Sequence, residues 1–395
     1  MSEESEKSET IAKATMTSRE RVLRCLNHQE PDRVPFNLAL TVDVYHRLRD
    51  YLGMPPEPDK AMGIWTNVSP SFDLLDAMHV DICRVGLNPP AKWSPPRTDD
   101  GVLYDEWGIG RAKVEHSEGN YYFEIVNHPL AGATLEDIES YSWPDPFDPG
   151  RVEGLPEKVE RIRWETDKAI MSGFSTPIWE QAWYLYGFEN WLRDLVMKPE
   201  ITNAILEKVC DIAMGFIKVG LDSAGDFIDI VRFSGEDLGM QTGPIISKQM
   251  FDERVKPWFE RYWRFTKDLA LKKNPNVKLM LHSCGSVGAF IPTWIDMGLD
   301  ILDPIQPRAR GMEPERLKCD YGNQLVFHGG IDIQHTLPFG TPGEVIEEVR
   351  HYIKTLGPGG GYIVAPAHNV QSDVPPENLV SIRDAIEAYG YYPLQ

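Results

Sequence analysis

His282, Ser283 and Cys284 close the stretch V-K-L-M-L-H-S-C-G-S-V-G, which runs from Val277 to Gly288. The apolar run Leu279-Met280-Leu281 reads as a buried strand, and the glycine after Cys284 as a turn. Side chains two apart on a strand share a face, so the His282 imidazole and the Cys284 thiol project together where the strand ends. A histidine nitrogen and a cysteine sulfur on one side supply half of a zinc site. For the pair alone, the alternative is a core histidine beside an inert cysteine.

Catalytic zinc takes three protein ligands and keeps one position for substrate, water or a displaceable carboxylate. His368, in A-P-A-H just past the last expected strand, is the candidate third ligand. Glu236, in S-G-E-D-L-G at another strand end, is the candidate catalytic carboxylate and fourth group on the metal. Asp303, His328 and Asp332 also fall at strand ends, where hydrogen bonding to loops is the more ordinary role. Cys25, Cys83 and Cys210 sit in apolar settings and read as core, and Cys319 lies inside an expected helix. A second feature is the aromatic run S-T-P-I-W-E-Q-A-W-Y-L-Y-G-F-E-N-W, residues 175–191. Trp179, Trp183 and Tyr186 share a helix face there. They serve either as packing or as a substrate-binding wall for a planar or apolar small molecule.

Positioning these groups requires a scaffold, and the hydrophobic pattern supplies one. Short apolar runs centred near residues 36, 82, 171, 230, 279, 302, 326 and 363 read as eight strands, separated by segments of helical periodicity. Eight alternating strands and helices predict an α/β fold, a parallel (β/α)8 TIM barrel, whose catalytic residues sit at the C-terminal strand ends. Residues 88–128, rich in Pro, Gly and aromatics, read as a β-rich excursion after strand two. Residues 1–15 are expected to form a mobile tail, with a single barrel domain over 16–395. No G-x-G-x-x-G follows the first strand, which disfavours a dinucleotide site.

The chain has 395 residues, 42% of them hydrophobic and 25% charged, as in soluble globular proteins. Forty basic against sixty acidic residues leave a net charge of −20, which argues against nucleic acid and anionic membranes as partners. Five scattered cysteines disfavour a disulfide framework and fit a reducing cytoplasm. The polar N-terminus lacks a signal-peptide core, and no apolar run approaches the roughly 18 residues of a membrane span.

Several of these segments together resemble the uroporphyrinogen decarboxylase superfamily. The resemblance runs from about Ser18 to Tyr392 and rests on R-E-R-V-L-R-C-L-N-H-Q-E-P-D-R-V-P, S-G-E-D-L-G-M-Q-T-G-P-I-I-S, H-S-C-G, F-H-G-G-I-D and G-G-G-Y-I-V-A-P-A-H-N-V-Q-S-D-V-P-P-E-N. It implies one (β/α)8 barrel and two branches of chemistry. Uroporphyrinogen decarboxylases use no metal and bind substrate carboxylates through R-Q-A-G-R after the first strand. Here the corresponding segment, Asn37 to Asp43, reads N-L-A-L-T-V-D and holds no arginine. The other branch comprises cobalamin-dependent methyltransferases, which carry zinc on H-x-C and a later cysteine in a context like A-P-G-C. His282 and Cys284 match directly, and His368 stands where that cysteine would be.

The resemblance therefore implies a zinc-dependent methyltransferase or O-demethylase, with a methylated small molecule or a thiol as substrate. No corrinoid-binding D-x-H-x-x-G is present, so the cobalamin is expected on a separate corrinoid protein that docks over the barrel mouth. A homodimer is compatible with this reading. The alternatives are a decarboxylase acting on a non-porphyrin acid and a barrel that binds metal without turnover.

Overall fold

The computed structural model describes residues 14–57, 67–96, 98–99, 101–117 and 120–394. The tail expected at 1–15 lies outside these up to residue 13. Thr15 and Met16 are already anchored, their amides donating to Asp32 Oδ2 at 2.7 and 2.8 Å.

Twelve strands are described. β1 (Leu40–Thr41) and β2 (Asn67–Val68) form a short antiparallel pair. The main sheet begins with β3 (Ile82–Gly86). β4 (Leu103–Tyr104), β5 (Gly110–Ser117) and β6 (Asn120–Asn127) make a separate antiparallel sheet, the excursion expected between residues 88 and 128. The main sheet continues with β7 (Ala169–Gly173), β8 (Ile230–Phe233), β9 (Lys278–His282), β10 (Ile301–Ile305), β11 (Val326–Ile331) and β12 (Tyr362–Pro366). Its order is β12-β11-β10-β9-β8-β7-β3, and every pairing is parallel.

The strand expected near residue 36 is reduced to a single parallel bridge between Phe36 and Val364. Prolines at 31 and 35 lack the N–H that a continuous ladder needs. The segment nevertheless spans the gap. Asn37 N donates to Val364 O and Val364 N to Pro35 O on the β12 side, both at 2.9 Å, while Asp81 N donates to Phe36 O at 2.8 Å just before β3. The curled sheet is thereby bonded to this segment at both of its edges. Asp81 holds the seam: its carboxylate accepts from Phe36 N, Arg21 Nη1 and Arg33 Nη2, and all three side chains are buried.

Alternation along the strands sorts the sheet into two faces. One face packs against the surrounding helices in a large apolar core. The other holds a small separate cluster: Ile82, Ala169, Met171, Ile230, Met280, Ile301, Val326 and Ile363, with Val22, Cys25 and Leu26 from the helix Ser18–Leu26. That helix caps the end of the barrel where the strands begin. Two residues further along each strand, on the same face, stand Arg84, Met171, Arg232, His282, Asp303, His328 and Ala365. The barrel interior is thus apolar at its base and mostly polar one layer up.

The helices follow the expected periodicity with local differences. Helices Pro342–Leu356 and Pro376–Tyr389 flank β12 in the chain. The first helix is capped by Thr17 in a capping box with Glu20. The region 178–220 divides into Trp179–Tyr186, Phe188–Met197 and a long helix Pro199–Ala224. Around Pro257 the chain adopts a π-helical turn, Phe251–Val255, before Lys256–Lys273. Among the described residues no helix is long and apolar enough to cross a membrane.

Because Asp81 pairs with two buried arginines, Asp81→Ala is expected to lower unfolding stability by about 3–5 kcal/mol. Denaturant melts of the variant beside the parent chain would measure this.

Candidate metal centre and its cavity

The three residues picked for a metal come together. The ligand atoms of His282, Cys284 and His368 all lie within 4.8 Å of one another. His282 ends β9, Cys284 begins the turn after it, and His368 follows β12, so two strand ends build the cluster. Cys284 Sγ lies 3.5 Å from His282 Nε2. Nitrogen and sulfur ligands of one tetrahedral zinc stand about 3.6 Å apart, so the pair is already spaced for a shared ion.

Asp303 sets the orientation of the first ligand. It is nearly fully buried, and its Oδ2 accepts from His282 Nδ1 at 2.7 Å, leaving Nε2 to face Cys284. Its Oδ1 accepts from His328 Nδ1 at 2.8 Å, and His328 Nε2 meets Asn37 Nδ2 at 2.9 Å. Arg232 Nη2 adds an ion pair to Oδ2 at 3.2 Å. Burial alone would raise the Asp303 carboxyl, but His282 and then His328 hold it well below the usual carboxylate range. A histidine ligand whose second nitrogen is held by a carboxylate is the usual arrangement at zinc.

The thiol and the third candidate ligand are half-buried. Burial pushes the Cys284 thiol well above its ordinary value, and the charges of Asp237, Asp303 and Glu180 add to this. As a zinc ligand this thiol would be held as the thiolate by the charge of the ion. Burial lowers His368, with His282 contributing, so its ring favours the unprotonated form that binds metal. The turn carrying Cys284 is seated by backbone contact. Cys284 N donates to Asp237 Oδ1 at 2.7 Å and Ser286 N to Met240 O at 2.8 Å. Gly285, with φ +82°, and Gly239 lie back to back: a Cβ on Gly285 would come 2.4 Å from the Gly239 carbonyl.

Glu236 does not join the cluster. Its carboxylate accepts from the amides of Ile178 and Trp179, each at 2.8 Å, at the start of the helix Trp179–Tyr186. It is fully buried, and both oxygens are occupied by the helix N-terminus, which attracts an anion. The aromatic residues are placed differently from a substrate wall as well. Trp179 is fully buried, stacks edge-on against Trp191 at 5.8 Å, and donates its indole N–H to Asp237 O. Tyr186 is buried with its hydroxyl on Asp194 at 2.8 Å, and Trp183 packs against Tyr184 and Phe188. None of the three lines the cavity described next.

A cavity of about 600 Å³ opens on the cluster. His282 and His368 line it, together with Asp303, His328, Arg232 and Arg84. Of these polar lining groups the two arginines were not singled out by the sequence reading, and Asp303 and His328 were assigned to loops. The signal that marks them is a repeat: a charged or imidazole side chain two residues after the apolar base residue on β3, β8, β9, β10 and β11.

A barrel whose interior polar layer meets a preorganised His-Cys-His cluster at its C-terminal end defines the general class, an enzyme fold with a candidate metal site. The uroporphyrinogen decarboxylase (URO-D) family description matches residues 113–389, and the chain belongs to that family. It is 23% identical to a uroporphyrinogen decarboxylase from Methylococcus capsulatus, over 93% of this chain and 97% of that one. It is also 23% identical to a methylated-thiol–coenzyme M methyltransferase from Methanosarcina mazei, over 64% of this chain and 62% of that protein. A solved structure titled as a methyltransferase from Methanosarcina mazei superposes with a TM-score of 0.66 at 17% identity, covering 94% of this chain and 99% of the other. The fold is therefore the α/β barrel expected from the strand count.

Asp303→Asn is expected to weaken zinc binding about 10–100-fold with the fold retained, as read by titration against a competing chelator. Glu236→Gln should behave in the opposite way. Zinc stoichiometry should stay unchanged while the thermal midpoint falls, because one amide at the start of helix Trp179–Tyr186 then loses its acceptor, at about 1–3 kcal/mol.

Proposed function

We propose that this chain is a zinc-dependent methyltransferase that moves a methyl group between a methylated small molecule, or a thiol, and a corrinoid carried by a separate protein. The observation that carries this reading is the convergence of His282, Cys284 and His368 within 4.8 Å at a cavity on the C-terminal side of the barrel. The donor set of two nitrogens and a sulfur suits zinc. Support also comes from the methyltransferase among the relatives, whose name specifies a methylated thiol. The decarboxylase branch is disfavoured because Asn37 to Asp43 lacks the arginines that would anchor porphyrin carboxylates.

His282, Cys284 and His368 would hold the metal. Zinc there supplies Lewis acidity, making a thiol a better nucleophile or an alkoxide a better leaving group. The chain's own residues do the rest. Asp303 orients His282 and keeps its Nε2 turned toward the cluster. The helix Ser18–Leu26 closes the base of the barrel, so the substrate enters from the C-terminal mouth. A corrinoid partner would dock over the same mouth, where it would supply the methyl-carrying cobalt and cover the cavity from water.

Elemental analysis of protein purified without chelator should find about one zinc per chain. His282→Ala, Cys284→Ala and His368→Ala should each lose it, whereas His368→Cys should keep it. In a screen of methylated ethers and thioethers with cob(I)alamin as acceptor, methyl transfer should vanish with the metal. A chain that neither retains zinc nor takes it up, or that keeps its activity after losing it, would refute the assignment.

A further inference from the structure

The cavity carries more positive charge than its surroundings lead one to expect. The chain as a whole has a net charge of −20. Yet the cavity is lined by three cationic side chains, Arg84, Lys158 and Arg232, against a single carboxylate, Asp303. Arg232 is spoken for by its ion pair with Asp303 at 3.2 Å. Arg84 and Lys158 have no hydrogen-bond or ion-pair partner among the described residues.

Arg84 is the more informative of the two. It belongs to the inner polar layer, two residues after Ile82 on β3. Its side chain is exposed and lines the cavity. The sheet makes room for that group: a Cβ on Gly173 would lie 2.6 Å from Arg84 Nε and 2.9 Å from its Nη2. Gly173 is the last residue of β7 and pairs in register with Gly86, so the guanidinium rests in a seat that a side chain would fill. Burial, with Arg232 adding to it, pushes Arg84 down to about 10, which still leaves it charged near neutrality. A cation seated on the cavity wall with no protein partner is what an anion-binding site looks like before its ligand arrives.

We propose that Arg84 binds a carboxylate of the small-molecule substrate, which makes the preferred substrates methylated acids rather than neutral methyl compounds. The guanidinium fork matches a carboxylate in two parallel hydrogen bonds. β3 lies three strands from β9 around the sheet, so a ligand anchored on Arg84 reaches across the interior toward His282 and His368. Lys158 adds a second positive charge to the cavity lining. The proposal names the substrate class for the methyl-transfer reading and rests on it for the methyl group alone.

The test is a binding measurement that requires neither metal nor corrinoid. Methoxyacetate, methylthioacetate and 4-methoxybenzoate are titrated calorimetrically into the full chain, each beside its primary amide, which keeps the shape and loses the charge. At least one acid should bind about 10–100-fold more tightly than its amide. Arg84→Met should remove that preference while leaving the amide affinity unchanged, and Arg84→Lys should restore part of it. Acids that bind no better than their amides in the parent chain overturn the proposal, and so does an acid preference that survives Arg84→Met. Should Arg84→Met fail to fold, the parent comparison and Arg84→Lys still decide the matter. A chain that shows the acid preference but holds no zinc would sink the methyltransferase reading and leave the carboxylate site standing.

Discussion

Asp303 is the group on which the rest of this interior depends. One nearly buried carboxylate accepts from His282, His328 and Arg232, and through His328 it reaches Asn37. An isolated carboxylate in such a setting would be expelled or protonated. Three donors make it tolerable, and in return it holds each of them in one orientation. The network joins β8, β9, β10, β11 and the segment that closes the barrel. Asn37 belongs to that segment, and its amide also bonds to Val364. Closing the barrel and aiming the His282 ring are therefore parts of one hydrogen-bonded structure.

Much of this was legible in the sequence. The apolar runs located the parallel strands because buried strands are apolar on both faces and short, and helices separate them. H-S-C at a strand end carried its own geometry, since a spacing of two places both ligands on one side. His368 could be reached from A-P-A-H only by knowing that the last strand lies beside the others at the rim. The first strand was overestimated because its apolar residues look like a strand, while Pro35 allows only a bridge to form. The Arg84-to-His328 layer was readable in principle as a two-residue offset repeated on five strands, but each instance alone resembles an ordinary polar interruption.

Glu236 and the tryptophans show where local reading stops. A carboxylate at a strand end and an aromatic helix at the barrel rim are features of active sites and of loop packing alike. What separates the two roles is which way the side chain turns, and that is decided by distant neighbours. Here the amides of Ile178 and Trp179 capture Glu236, and Trp191 with the Asp237 carbonyl captures Trp179. These contacts tie the 234–240 loop to the helix Trp179–Tyr186, and Glu236 N on His282 O with Cys284 N on Asp237 Oδ1 hold the same loop against the turn that bears Cys284, so their contribution to the candidate cluster is made through the loop.

The helix Ser18–Leu26 has a consequence for the order in which this chain is assembled. Its amides and arginine hold to Asp167 and Asp229, and Cys25 Sγ rests on Tyr362 O, 337 residues away. It is made before every strand of the main sheet, yet the wall that it seals is complete only when β12 has been made. Until then Val22, Cys25 and Leu26 have no seat in the barrel, and the base residues of the early strands lack their lid. Contacts of such high sequence separation slow folding and lengthen the exposure of apolar surface. A helix made before the whole main sheet is thus bound to wait for β12.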